Sequence, residues 1–310
     1  MTSDRFLAWQ GLVFQAAQDP HQALQILQSP PADLTSEQWA RGQFWKACLF
    51  CQSQQLGEAL NALQRVDQVG HWLSPARLQD HDLDPIRDDP EFVALIDKWT
   101  QRLGQEAAAH SATLQVLPSV GSEKGTVIAL HMNSNSPAQT HPLFSSLITE
   151  GWRVAIAGSG QYVGEGMAVW NDRAQAETEL QQWAEQLGGA PLWAGLSAGG
   201  STVLRGALNG SIAASGVLAV VPSVAAHPEW YPDEPIGVPV ALVVGKQDPL
   251  ALGTLQFAEL LKERGVPVRV WRHAGGHDVP ENWQGIRAEA LEWIQATKWI
   301  GRSKPEQQSG

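Results

Sequence analysis

The pentapeptide Gly195-Leu196-Ser197-Ala198-Gly199 constrains this 310-residue chain more than any other stretch. An apolar run, Pro191-Leu192-Trp193-Ala194, leads into it, and a helix-compatible run, Ser201-Thr202-Val203-Leu204-Arg205, leads out. The pattern is a strand, a sharp turn and a helix. Strand and helix nearly touch at such a turn, so side chains in place of the two glycines would collide, and the serine between them is held in a strained backbone conformation.

Further apolar runs follow at regular intervals. Gly216 to Val221 and Val238 to Val244 are continuous, β-branched and turn-bounded, as buried parallel strands are. The second ends in Gly245-Lys246-Gln247-Asp248-Pro249, which puts Asp248 just past a strand, at the carboxyl edge where open α/β sheets bind ligands. As a bare residue Asp248 also reads as a helix cap. A helical stretch from Thr254 to Arg264 precedes a third run, Val266 to Trp271, and then His273-Ala274-Gly275-Gly276-His277-Asp278. Either histidine can serve the sheet edge, and Gly275-Gly276 permits a turn that aims His277 at it. Upstream lie a strand over Thr126 to Asn133, a helix over Leu143 to Glu150 and a strand over Trp152 to Ala157. The expected class is α/β, a mostly parallel sheet flanked by helices, with Ser197, Asp248 and His277 at one edge.

With those residues in that order, the stretch from about 120 to 300 resembles the α/β-hydrolase superfamily, nearest the phospholipase/carboxylesterase and dienelactone-hydrolase type. The resemblance favours His277 over His273, because the family carries Gly-His at this place. It implies a serine hydrolase that cleaves carboxylic esters through an acyl-enzyme, without cofactor or metal. Ser197 would be the nucleophile, His277 its base and Asp248 the group that orients the imidazole. The oxyanion would be held by the N–H of Ala198 and that of Asn133 or Met132. In the family the second of these loops usually reads His-Gly-x; here it reads His131-Met132-Asn133. Peptidase, thioesterase and acyltransferase chemistry use the same triad. An alternative of another class is a catalytically impaired hydrolase fold that acts as a binding or scaffold protein through the N-terminal repeats.

Two loops are candidates for shaping an acyl or aryl pocket. Gly158 to Asn171 carries Tyr162 and Trp170, and Pro222 to Gly237 carries His227, Trp230 and Tyr231 among four prolines. Surface loop packing is the competing reading of both.

The first hundred residues have helical periodicity throughout, broken at Asp19-Pro20, Ser29-Pro30-Pro31 and Ser74-Pro75. Gly11, Phe14, Ala23 and Leu27 recur 36 positions later as Ala47, Phe50, Ala59 and Leu63. Small residues 12 apart in successive helices suit two antiparallel helices in close contact, and the pattern resembles the tetratricopeptide repeat. In Asp84 to Phe92, Asp89 reads as a helix cap with Pro90 at the first helical position. The expected division is a helical-repeat domain over 1–104, a short linker up to 111, an α/β-hydrolase domain over 112–300 and a disordered tail over 301–310. A protein partner or self-association through 1–104 is the role such repeats suggest.

Cys48-Leu49-Phe50-Cys51 lies within a helical pattern with no second pair, so it reads as two buried helix cysteines rather than a metal or redox site. Basic residues number 8 against 14 acidic up to position 110 and 13 against 18 beyond it, which excludes a nucleic-acid footprint. The amino terminus lacks the basic start and apolar core of a signal peptide, and no stretch is long and apolar enough to span a bilayer. The expected location is the cytoplasm, and the expected ligand a small ester or acyl compound.

Overall fold

A proline with an aspartate cap before it opens two of the N-terminal helices. In the computed structural model, which describes residues 4–224 and 237–302, the helices are α1 (Asp4–Gln15), α2 (Pro20–Leu27), α3 (Ser36–Gln52), α4 (Leu56–Gln68) and α5 (Pro90–Ala109). Asp19 accepts hydrogen bonds from the His21 and Gln22 N–H groups at 3.1 and 3.3 Å, with Pro20 as the first residue of α2. Asp89 accepts from Glu91 N–H at 2.8 Å, with Pro90 opening α5. Thr35 and Gln38 cap α3 reciprocally. Ala23, Leu27, Ala47, Ala59 and Leu63 are buried, as their recurrence suggests. The first copy breaks the pattern at Gly11, which faces open space, and at Phe14, which is 55 % exposed. The close approach falls instead at Gly42, where a Cβ would lie 2.8 Å from the Trp9 ring. A tetratricopeptide array therefore does not follow from these helices.

The chain divides into two compact units, Met1–His110 with Val163–Gly166, and Ser111–Tyr162 with Met167–Gly310. The linker expected over 104–111 is mostly helix. Gly104 has open space around it, and the Arg102–Glu106 pair at 3.0 Å with the alanines after it carries α5 on to Ala109.

The strands are β1 (Thr113–Leu117), β2 (Gly125–Leu130), β3 (Trp152–Gly158), β4 (Gln161–Gly164), β5 (Met167–Val169), β6 (Leu192–Leu196), β7 (Gly216–Val220), β8 (Val240–Gly245) and β9 (Val268–His273), all in the second unit except the last two residues of β4. Seven of them form one sheet in the order β1-β3-β2-β6-β7-β8-β9, parallel except for β1. Its helices are α6 (Pro137–Phe144), α7 (Arg173–Leu187), α8 (Ala198–Leu208), α9 (Ala251–Glu263) and α10 (Trp283–Arg302). Alternate residues of each strand face opposite ways. Ile128, Leu130, Val217 and Leu242 pack with Leu180 and Trp183 of α7, Val203 and Leu204 of α8, and Phe257 of α9. Val127, Ala129, Leu218 and Val243 pack with Phe144 of α6 and with Ile286, Leu291 and Ile294 of α10. Both faces are covered, which is why these strands read as unbroken apolar runs.

Four elements depart from the sequence expectation. The helix placed at 143–150 starts at Pro137, because Ser136 and Gln139 form a capping box there, and 145–150 is a 3₁₀ continuation. The segment 158–171 is not a plain loop: β4 and β5 pair as a hairpin within it. Strand β1 has Thr113, Gln115 and Val116 exposed and Leu114 and Leu117 half-buried, and so lacks the buried apolar run that marks the inner strands. The α10 helix runs to Arg302, two residues into the expected tail, whose remainder lies outside the described residues.

Candidate active site

The turn between β6 and α8 is as tight as its glycines demand. A Cβ on Gly195 would lie 2.5 Å from the Gly200 nitrogen, and one on Gly200 would lie 2.9 Å from the Gly195 carbonyl oxygen. Ser197 sits between them at φ 48°, ψ −116°, a region that costs a non-glycine residue of order 1–3 kcal/mol. Its N–H donates to the Val220 carbonyl of β7 at 2.8 Å, which ties the strained residue to the sheet.

Asp248 and His277 reach the same place by a second close approach. A Cβ on Gly245, the last residue of β8, would collide with the carbonyls of Gly275 and Gly276. With glycine there, the loop after β9 folds down on the end of β8, and Gln247 N–H donates to Gly275 C=O at 3.0 Å while Lys246 N–H donates to His273 C=O at 2.9 Å. The Asp248 side chain, 2 % exposed, accepts Leu250 N–H on Oδ1 at 2.8 Å and faces His277 Nδ1 with Oδ2 at 2.9 Å. His277 Nε2 lies 2.8 Å from Ser197 Oγ. A carboxylate only accepts, so Nδ1 carries the imidazole proton and Nε2 is left to accept from the serine hydroxyl. The structure thus brings Ser197, His277 and Asp248 into one hydrogen-bonded chain. His273 is not part of it: it is buried, and its Nδ1 accepts from Gly275 N–H at 3.2 Å, which braces the turn that carries His277.

The third wall is the loop after β2. A Cβ on Gly199 would collide with the His131 carbonyl oxygen and lie 2.9 Å from Leu130 Cβ, so that glycine admits the 130–131 backbone to the serine turn. Ala198 is the first residue of α8, so its N–H has no carbonyl one turn back to bond. Met132 is half-buried against the core beneath α10. Asn133 holds its loop by its side chain: Oδ1 accepts Trp170 N–H at 2.8 Å and Nδ2 donates to Asn171 Oδ1 at 2.8 Å. His131, fully buried, faces the Met132 carbonyl with Nδ1 at 2.7 Å and accepts Ser159 N–H on Nε2 at 3.2 Å, which fixes the Nδ1–H tautomer. The Trp170 indole N–H donates to the His131 carbonyl at 2.9 Å.

Trp170 is therefore not a lining of an open pocket. It is 3 % exposed, packs edge-on against Trp183 and serves as the strut behind residues 131–133. Tyr162 is half-buried on β4, and Trp230 and Tyr231 lie outside the described residues. Sequence reasoning missed the strut because it read Asn133 only for its N–H; the polar Trp170-Asn171 pair beside a loop was the available signal. It also missed Val221, a β-branched residue at φ 42° pinned by its N–H to the Val243 carbonyl at 2.8 Å, which nothing in the sequence marks.

Cys48 and Cys51 are buried, and burial, with Asp80 and Asp82 nearby, pushes the Cys48 thiol far above its usual range. Among the described residues Cys48, Asp80 and Asp82 are the group whose ligand atoms, within 4.8 Å of one another, could hold a metal ion, with a thiol that burial keeps protonated. Among the described residues no helix is long and apolar enough to cross a membrane.

No family model matches this sequence, and no curated relative matches it. Solved structures resemble it in fold. An uncharacterized protein from Bacillus cereus superposes at a TM-score of 0.50 with 20% identity, covering 93% of this chain and 99% of its own. A Paleococcus ferrophilus monoacylglycerol lipase gives 0.49 and 18% over 60% of this chain and 99% of its own, and a Bacillus cereus carboxylesterase gives 0.47 and 16% over 62% and 97%. At these identities the likeness is one of fold.

Proposed function

We propose that this protein is a serine hydrolase that cleaves carboxylic esters through Ser197, His277 and Asp248. The observation that carries the reading is the unbroken chain from Asp248 Oδ2 to His277 Nδ1 at 2.9 Å and from His277 Nε2 to Ser197 Oγ at 2.8 Å, on a turn whose serine is backbone-strained. A serine hydroxyl is hardly ionised at neutral pH, and His277 is placed to take its proton as Oγ bonds to the ester carbonyl carbon. The carbonyl π electrons move to oxygen. The oxyanion so formed would meet the N–H of Ala198 and that of Met132 or Asn133, where loss of one donor costs about 3–4 kcal/mol. Collapse breaks the bond to the leaving alkoxide, which receives the proton from His277 and leaves an acyl-Ser197. Water, deprotonated by the same imidazole, then attacks the acyl carbon and releases the acid and Ser197.

Asp248 would stabilise the imidazolium in both halves. Met132 stands where a glycine would ease the approach of the backbone to the substrate; the Asn133 and Trp170 hydrogen bonds supply the rigidity that a catalytic N–H requires there. Thioesters and activated amides are attacked by the same groups. The test is turnover of p-nitrophenyl esters of increasing chain length together with an acyl thioester, with rapid mixing to look for a burst of one nitrophenolate per chain. A burst that Ser197→Ala abolishes supports the acyl-enzyme. Ester turnover that survives Ser197→Ala overturns it.

A further inference from the structure

The first unit contains a cavity of about 180 Å³ between α2, α3 and α4, roughly the volume of six waters. Leu24 and Phe50 form its apolar wall, and Gln43, Lys46 and Arg65 its polar one, with Glu58 exposed at the rim. Two features mark it as unfinished. Lys46 and Arg65 have no ion-pair partner among the described residues, although burial, and then Arg65, push the Lys46 ammonium below its usual range. Gln43 is 5 % exposed and its Oε1 is buried with no hydrogen-bond donor. A buried acceptor left without a donor is costly, and two unneutralised cations beside it repel each other.

Gln43 lines the cavity, and its terminal torsion is broad and roughly two-fold, so its amide is free to present Oε1 to a bound group. We infer that this cavity binds a phosphate-sized oxyanion that keeps one hydroxyl, with Lys46 and Arg65 on its charged oxygens and Gln43 Oε1 accepting from its hydroxyl. Inorganic phosphate has that chemistry near neutral pH, whereas a phosphate monoester, with a second pKa of about 6, is mostly the dianion without a hydroxyl. Sulfate has the same shape and charge without the hydroxyl, and a site built around a hydrogen-bonded hydroxyl rejects the analogue that lacks it.

The experiment is isothermal titration of the full chain at low ionic strength with inorganic phosphate, glycerol phosphate and sulfate. The expected result near neutral pH is one saturable site per chain for inorganic phosphate, with sulfate and the glycerol phosphate dianion each binding at least tenfold weaker. Arg65→Gln, on an exposed position, and Lys46→Met should each weaken phosphate about tenfold, the usual scale of a charge-assisted contact. Gln43→Leu should abolish the preference over sulfate. Absence of saturable phosphate binding overturns the proposal, as do equal phosphate and sulfate affinities or affinities that Arg65→Gln and Lys46→Met leave within twofold. Ester turnover is read in parallel and stays unchanged in all three variants, so failure here is distinct from failure of the hydrolase reading.

Discussion

The buried polar groups around Ser197 and those around the helical cavity end differently. At the edge of the sheet the Asp248 carboxylate is met by Leu250 N–H and His277, and the imidazole is met in turn by Ser197, so each group has its partner within the chain. Among the helices, Gln43 Oε1 and Arg41 Nε are buried with no partner, and Lys46 and Arg65 stand unneutralised. The first arrangement is preorganised for proton transfer before any substrate arrives; the second is a set of groups whose pairing requires something from outside. The comparison also covers glycine. At 195, 199 and 245 a glycine is required by backbone that lies where a Cβ would be, whereas Gly11 meets nothing.

The largest effects should fall on the preorganised side. Ser197→Ala or His277→Ala is expected to lower kcat for an activated ester by about 10⁴-fold or more, measured beside an unchanged melting curve. Asn133→Ala removes the acceptor for Trp170 N–H and the donor to Asn171, and should lower kcat about tenfold with KM little altered, on the scale of one hydrogen bond to the loop. An unaltered kcat would show that the strut is not needed to hold residues 131–133.

The helical side makes smaller predictions. Burial, and then Asp82, push the Cys51 thiol from 9.0 up to about 11. A folded-state pKa above the unfolded one contributes stability below the unfolded value and loses it as pH rises through the folded one. The melting temperature should therefore fall between about pH 9 and 11, and Cys51→Ala should reduce that fall. A disulfide-exchange reagent at pH 8 should leave both thiols unmodified until the protein unfolds. Smallest of all, Gly11→Ala should raise stability by about 0.5–1 kcal/mol in a denaturant titration, because it restores helix propensity where no contact is lost. A destabilisation would mean that Gly11 is a packing site after all.

Much of the sheet was legible because its inner strands are buried on both faces, which writes an apolar run for each of β2, β3 and β6 to β8. Strand β1 was not, since an edge strand of exposed and half-buried residues carries no such run. Ser197 was legible from the turn chemistry of Gly195 and Gly199; Gly275-Gly276 left His273 and His277 both open, and the resemblance in the order of Ser197, Asp248 and His277 made the choice between them. The Trp170 strut was hidden because an aromatic side chain in an apparent loop reads equally as pocket lining or packing; only its indole hydrogen bond to the His131 carbonyl separates the two. In the helical unit the 36-residue recurrence pointed to Ala47, Ala59 and Leu63, all buried, yet it placed a close contact at Gly11 that lies instead between Gly42 and Trp9. Helical periodicity fixes which face is buried and not which turn of one helix meets which turn of another.

The central claim, that Ser197 is an activated nucleophile, is tested most directly by intact-mass analysis after incubation with a fluorophosphonate, followed by mapping of the modified peptide. The account predicts a single adduct per chain on Ser197, absent from Ser197→Ala and much slower to form in His277→Ala. A folded protein that takes no adduct, or takes one elsewhere that Ser197→Ala does not remove, contradicts it.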